Sequence, residues 1–169
     1  ARALAALLVG CTLAGCKPAA PAVEPTHPVT PKFWSELDAN EILGPTSGAV
    51  VVDRSGEYSY QTCAIYAVDG ANTTCWAAPP DDPEQWLVVD LASRTRLTQV
   101  GASLIPEADR IVPPGRLRFE GSMDGKSFTE LQTVDLDPSK RHQLFDVSPT
   151  EARSVRVTML KTPDSPSTP

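Results

Sequence analysis

The sequence predicts an all-β sandwich, and three observations predict it. From residue 48 onward, short runs rich in β-branched and aromatic residues follow one another. Prolines and glycines punctuate these runs and keep each one short. Within several runs apolar and polar side chains alternate, the period of a strand with one face buried. Only residues 33–43 read as helix: Ser35 can cap it, and Leu37 and Ile42 can face the core.

The first residues precede that sandwich. Arg2 supplies a positive charge, and Ala3 to Leu13 is small or apolar except for Thr12. The run is too short to span a bilayer and has the form of a removable secretory signal. It ends in Leu13-Ala14-Gly15-Cys16, which resembles the lipobox of bacterial lipoproteins; an ordinary signal peptide with an incidental cysteine is the other reading. The resemblance implies lipid on Cys16, membrane attachment through that lipid alone, and a place in the bacterial cell envelope. With Lys17 after the cysteine, it implies sorting to the outer membrane. Each buried methylene contributes about 0.8 kcal/mol, so several acyl chains hold far more firmly than one.

Residues 16–32 then form a spacer. Prolines at 18, 21, 25, 28 and 31 keep it extended, at about 3.1 Å per residue, and lift the domain off the lipid surface. His27 lies here without partners for a metal site. The expected organisation is therefore a signal over 1–15, a lipidated cysteine and linker over 16–32, and one folded domain over 33–169. The start at Ala1 and the ending TPDSPSTP suggest a chain cut short at both ends.

The strands follow in order. Residues 48–53 (GAVVVD) are β-branched and look buried. In 86–91, Leu87, Val89 and Leu91 share one face; in 116–120, Leu117 and Phe119 do. Runs at 128–134, 143–147 and 154–160 complete the series, the last with Val155, Val157 and Met159 on one side. Asp124-Gly125 makes a tight corner inside 122–127. The net charge of −6 argues against a nucleic-acid partner, which wants a basic face. Of four cysteines, Cys63 and Cys75 remain in the exported domain. A disulfide between them would add about 3 kcal/mol by loop closure; two buried free thiols are the alternative.

In this order, Ala67-Val-Asp69-Gly70, Thr74-Cys-Trp76, Trp86-Leu-Val-Val-Asp90-Leu91, Ser122-Met-Asp124-Gly125-Lys-Ser-Phe128 and Ala152-Arg153-Ser-Val155-Arg156-Val157 resemble the discoidin family. This is the coagulation factor 5/8 type C domain, which includes carbohydrate-binding module family 32. The resemblance covers residues 45–160 and implies a galactose-binding-like jelly roll of about eight antiparallel strands. Trp76 and Trp86 are then core residues. Relatives wrap calcium in the loop corresponding to Asp69-Gly70, which here offers Asp69, Asn72 and Thr74; calcium takes six to eight oxygens. The alternative is that Asp69-Gly70 is only a turn. The family's ligand site lies on loops at one end, here 54–60, 77–85 and 106–115. Tyr58 and Tyr60 can stack on a sugar, with Arg54 and Arg110 bonding its hydroxyls, or all four are ordinary loop residues.

Nothing in the sequence carries catalysis. It lacks a G-x-S-x-G elbow, an H-E-x-x-H helix, a P-loop and a dinucleotide-binding turn, and His142 has no nucleophile near it in sequence. The expectation is a lipid-anchored, non-catalytic binding module whose partner is carbohydrate. A protein-binding or structural envelope lipoprotein, or the accessory domain of a longer glycan-active enzyme, are the alternatives.

Overall fold

The computed structural model describes residues 47–160, except 72, 83 and 106–112, together with the backbone of 8–9. The lipidation cysteine Cys16, the linker, the helix expected over 33–43, and the site candidates Asn72 and Arg110 lie outside the described residues.

The protein is all-β. Six strands are described: β1 (Leu8–Val9), β2 (Val50–Arg54), β3 (Gln85–Ser103), β4 (Arg116–Ser122), β5 (Thr129–Asp135) and β6 (His142–Leu160), with one 3-10 turn at Ala64–Ala67 between β2 and β3. Every pairing is antiparallel, in the order β1-β3-β6-β4-β5, with β2 also pairing β3. β1 is a two-residue pairing with Ala102 and Ser103.

The count is smaller than eight because two strands do the work of four. β3 and β6 each run 19 residues, and β6 joins the segments expected separately at 143–147 and 154–160. Straight, such a strand would extend about 60 Å. The β3–β6 register instead breaks between Asp90 and Thr95 and again between Leu97 and Gln99. Such irregularities bend a strand. Leu87 and Val89 from before the breaks share one core with Leu97 from between them and Val100 from after them, so the ribbon folds back over itself as a sandwich. Leu117, Phe119, Val155 and Val157 close that core from β4 and β6.

The β4–β5 corner forms as its sequence requires. Gly125 takes φ +70, a left-handed value that a side chain would resist. Asp124 Oδ1 accepts the backbone N–H groups of Lys126 (2.8 Å) and Ser127 (2.7 Å) and the Ser122 hydroxyl (2.9 Å). These donors, the Ser127 N–H first, hold the Asp124 carboxyl well below the usual range.

Two core expectations change. Val50 and Val52, which look buried in sequence, are 53% and 55% exposed. β2 has β3 on one side only among the described strands, and its register shifts between Val51 and Asp53. Trp76 is fully buried, its indole N–H donating to the Gly56 carbonyl at 2.9 Å. Trp86 is only half-buried, because alternation puts it on the opposite face from Leu87 and Val89.

Candidate functional site

The segment leaving β2 carries the candidate site. It is short of regular structure yet held at many points. Ser55 exchanges hydrogen bonds with Trp86, its N–H to the Trp86 carbonyl (2.9 Å) and its Oγ accepting the Trp86 N–H (3.1 Å). The Gly56 carbonyl takes the Trp76 indole. Tyr58 N–H donates to the Ala77 carbonyl at 2.8 Å, and Ser59 N–H to Thr62 Oγ1 at 3.1 Å. Glu57 Oε1 accepts the Ala64 N–H at 2.8 Å, which satisfies an orphan donor at the start of the 3-10 turn.

On this clamped frame the side chains point outward. Tyr60 is 81% exposed and Tyr58 48%. Arg54 Nε pairs with Glu57 Oε1 at 2.9 Å. Glu57 thus holds both the arginine and the turn, a role the sequence reading missed; the i,i+3 spacing of opposite charges at 54 and 57 was its only signal. Rings held out by a fixed backbone lose little entropy on binding, which suits stacking on an apolar sugar face.

Beside the loop lies a half-open groove of about 420 Å³. Val50, Val51, Ala64, Ile65 and Val68 form its apolar walls, and Arg54, Glu57 and Asp69 its polar rim. The structure therefore brings Arg54 and Asp69 to one groove, whereas Tyr58 and Tyr60 do not line it.

Asp69 and Thr74 do come together. Asp69 Oδ2 accepts the Thr74 hydroxyl at 2.7 Å, and Oδ1 accepts the Ala71 N–H at 2.9 Å; Gly70 turns at φ +71. The oxygens at hand are the Asp69 carboxylate, the Thr74 hydroxyl and the Ala71 carbonyl, and the first two are already bonded to each other. Among the described residues no group of three or more His, Cys, Asp or Glu side chains converges. Among the described residues this set is short of a calcium shell, and Asn72 lies outside them; the turn is closed by its own hydrogen bonds.

The cysteine pair departs from the disulfide expectation. Cys63 and Cys75 are both free. The Cys63 thiol turns back on its own loop, 3.2 Å from the Tyr60 carbonyl, while Cys75 is buried. Burial pushes the Cys75 thiol up.

Comparison with known proteins fits this architecture. The family model for the F5/8 type C domain matches residues 51–168. No curated protein matches the sequence significantly. Among solved structures, CBM32-3 from a family 31 glycoside hydrolase of Clostridium perfringens is similar at 20% identity and a TM-score of 0.59, over 69% of this chain and 81% of that one. The family 32 carbohydrate-binding module of C. perfringens NanJ, solved with galactose, is 17% identical with a TM-score of 0.56, over 71% and 88%. Chitosan-binding module 1 from a chitosanase/glucanase of Paenibacillus sp. IK-5 is 21% identical with a TM-score of 0.53, over 66% and 80%. At such identities the likeness is one of fold: a galactose-binding-like jelly roll.

Proposed function

We propose, since this chain belongs to the F5/8 type C domain family, that it is a non-catalytic module which binds carbohydrate through the 54–60 loop, displayed on a lipid anchor at the cell envelope. The observation that carries the reading is the pair of outward tyrosines, Tyr58 and Tyr60, on a backbone clamped from both sides. Arg54, on the rim of the neighbouring groove, carries hydrogen-bond donors for sugar hydroxyls. The galactose and chitosan named for the structural relatives give the ligand class its direction. Lipidation at Cys16 and the proline-rich stalk supply the anchor, on the sequence grounds above.

The test is a glycan array probed with the protein and with a Tyr58→Ala/Tyr60→Ala double variant. Saturable binding to a related set of sugars, lost in the variant, supports the site; binding that survives both substitutions places it elsewhere. The exposed Val50, Val52 and Ile65 beside the groove favour one second reading, a protein-binding envelope adaptor. A blank array with a folded protein would select it.

A further inference from the structure

β2 is an edge strand, and its open side is a groove rather than plain surface. Among the described strands it pairs with β3 alone. Consecutive residues of a strand point to opposite faces. Val50 is exposed, whereas Val51 packs against the core. The groove of about 420 Å³ touches both, so it runs along the strand's edge and not over one face. Its far wall is the 3-10 turn and the residue after it, through Ala64, Ile65 and Val68. Ile65 is 63% exposed and Val52 is exposed too, so apolar surface continues out of the groove on both banks.

In an antiparallel ladder, alternate residues turn their N–H and C=O away from the partner strand. Arg54 stands opposite Leu87, and its N–H is held by the carboxylate of its own neighbour, Asp53 Oδ1, at 2.9 Å. A side chain there does what a further strand would do. Charge along this edge is one-sided. Arg54 Nε and the Ala64 N–H both go to Glu57 Oε1, so the arginine is neutralised where it stands. Asp53 and Asp69 bond only uncharged donors: the Arg54 N–H for the first, the Thr74 hydroxyl and the Ala71 N–H for the second. Two carboxylates are thus left without a counter-charge among the described residues, on a chain of net charge −6.

We infer that the β2 edge and its groove take an extended, basic segment of a partner protein, added to the sheet as a further strand. Its backbone would pair with β2, its aliphatic side chains would lie against Val50, Val52 and Ile65, and a lysine or arginine would meet Asp53 or Asp69. Strand addition supplies the donors and acceptors that an edge leaves open, while side chains at alternate positions select the partner. A hydroxyl-rich sugar would instead lose water against aliphatic walls that offer it no hydrogen bonds. A second copy of this chain would bring the same two carboxylates to the same edge, and like charges across a strand pair repel. Charged residues on an edge also discourage indiscriminate pairing, which leaves a basic strand as the favoured occupant. This surface is separate from the proposed sugar site, since Tyr58 and Tyr60 do not line the groove.

The experiment titrates the whole chain with a fluorescein-labelled peptide, Lys-Val-Thr-Val-Thr-Lys, followed by anisotropy and by amide NMR shifts. Two further peptides are compared: the same sequence N-methylated at alternate residues, which cannot pair as a strand, and an acidic analogue with Glu at both ends. The basic peptide should bind, weaken as salt rises, and shift the amides of Val50–Arg54 and of the 3-10 turn most. The N-methylated and acidic peptides should bind roughly tenfold or more weakly. Val50→Lys/Ile65→Lys should cost a similar factor, and Asp53→Asn about threefold. The N-methylated comparison uses the unaltered protein, so it does not depend on how a variant folds. Tyr58→Ala/Tyr60→Ala should leave peptide binding unchanged, which keeps this result independent of any result with sugars. No binding, equal binding of the three peptides, or loss in the tyrosine variant overturns the proposal. A chain that instead doubles in mass by light scattering, and returns to monomer in Val50→Lys/Ile65→Lys, assigns the edge to a second copy and also overturns it.

Discussion

Arg156 of β6 and Glu120 of β4 close on each other through two parallel hydrogen bonds, 2.8 and 2.7 Å, across strands that pair in register at these residues. Glu120 is 7% exposed, so water does not replace that fork once it is opened. Hydrogen bonds from Arg156 hold the Glu120 carboxyl below the ordinary glutamate range. A carboxyl whose folded pKa is lowered contributes stability that is present above its unfolded value and lost as pH falls through the folded one. Glu120→Gln should therefore cost about 2 kcal/mol near neutrality, with partial exposure of Arg156 moderating the loss. Urea titrations across pH should show the gap to wild type narrowing below about pH 4. A gap that stays constant into acid would mean the ion pair contributes nothing.

Gly101 is fixed by its neighbour strand rather than by its dihedral angle. A methyl group there would stand 2.5 Å from the Gln143 carbonyl and 2.6 Å from the Leu144 side chain. The β3–β6 ladder must part to admit it. Gly101→Ala should destabilise by about 2 kcal/mol, in the range of overpacked cores. Thermal unfolding measures this, and an unchanged midpoint would show that the ladder yields there freely.

Asp69 closes its turn with the Thr74 hydroxyl and the Ala71 N–H. Asp69→Ala should then lower the unfolding free energy by about 1–2 kcal/mol whether the buffer holds calcium or a chelator. A loss that appears only in calcium would assign the ion to this loop, as the family resemblance suggests.

Tyr58 and Tyr60 separate binding from stability. Replacing both with alanine should move the unfolding free energy by no more than about 0.5 kcal/mol, as for exposed positions with no packing role. Sugar binding at the loop should disappear. Melting curves and titrations on the same sample check both halves; a large drop in stability would make the rings structural.

The thiols offer a direct chemical check. With Cys63 partly exposed and Cys75 buried and pushed up by that burial, a thiol reagent should label Cys63 first in the folded protein and Cys75 only after denaturation. Intact mass with and without reductant reads the outcome. A mass two hydrogens light that reductant restores would identify the bridge expected for an exported domain.

Much of the fold is legible in the residues themselves. Alternation places Leu87, Val89, Leu117, Phe119, Val155 and Val157 inside, and all six are fully buried. Asp124-Gly125 announces its corner because few residues other than glycine accept φ +70. What alternation cannot show is which strand lacks a neighbour. Val50 and Val52 read as core because three valines in a row suit a central strand, yet their strand has a partner on one side among those described. Nor does it show that 143–147 and 154–160 continue as one strand, since only pairing with β3 carries the chain across the intervening residues. The candidate site was half legible. Tyr58, Tyr60 and Arg54 are conspicuous by residue type, whereas Glu57 works through a hydrogen bond to Ala64 that local sequence does not reveal. The Glu120–Arg156 fork depends on two strands lying in register, its partners 36 residues apart.

β6, the last described strand of the chain, lies between β3 and β4, pairing with β3 from His142 to Met159 and with β4 from Ser154 to Leu160. The sheet therefore lacks its centre until the ribosome has made residue 160. Before that moment β3 and β4 expose the apolar faces meant for the core, and no half of the sandwich can settle alone. Synthesis from the amino end cannot fold this domain piece by piece. The domain stays open until β6 is made, the condition in which a polypeptide can be threaded through a membrane pore.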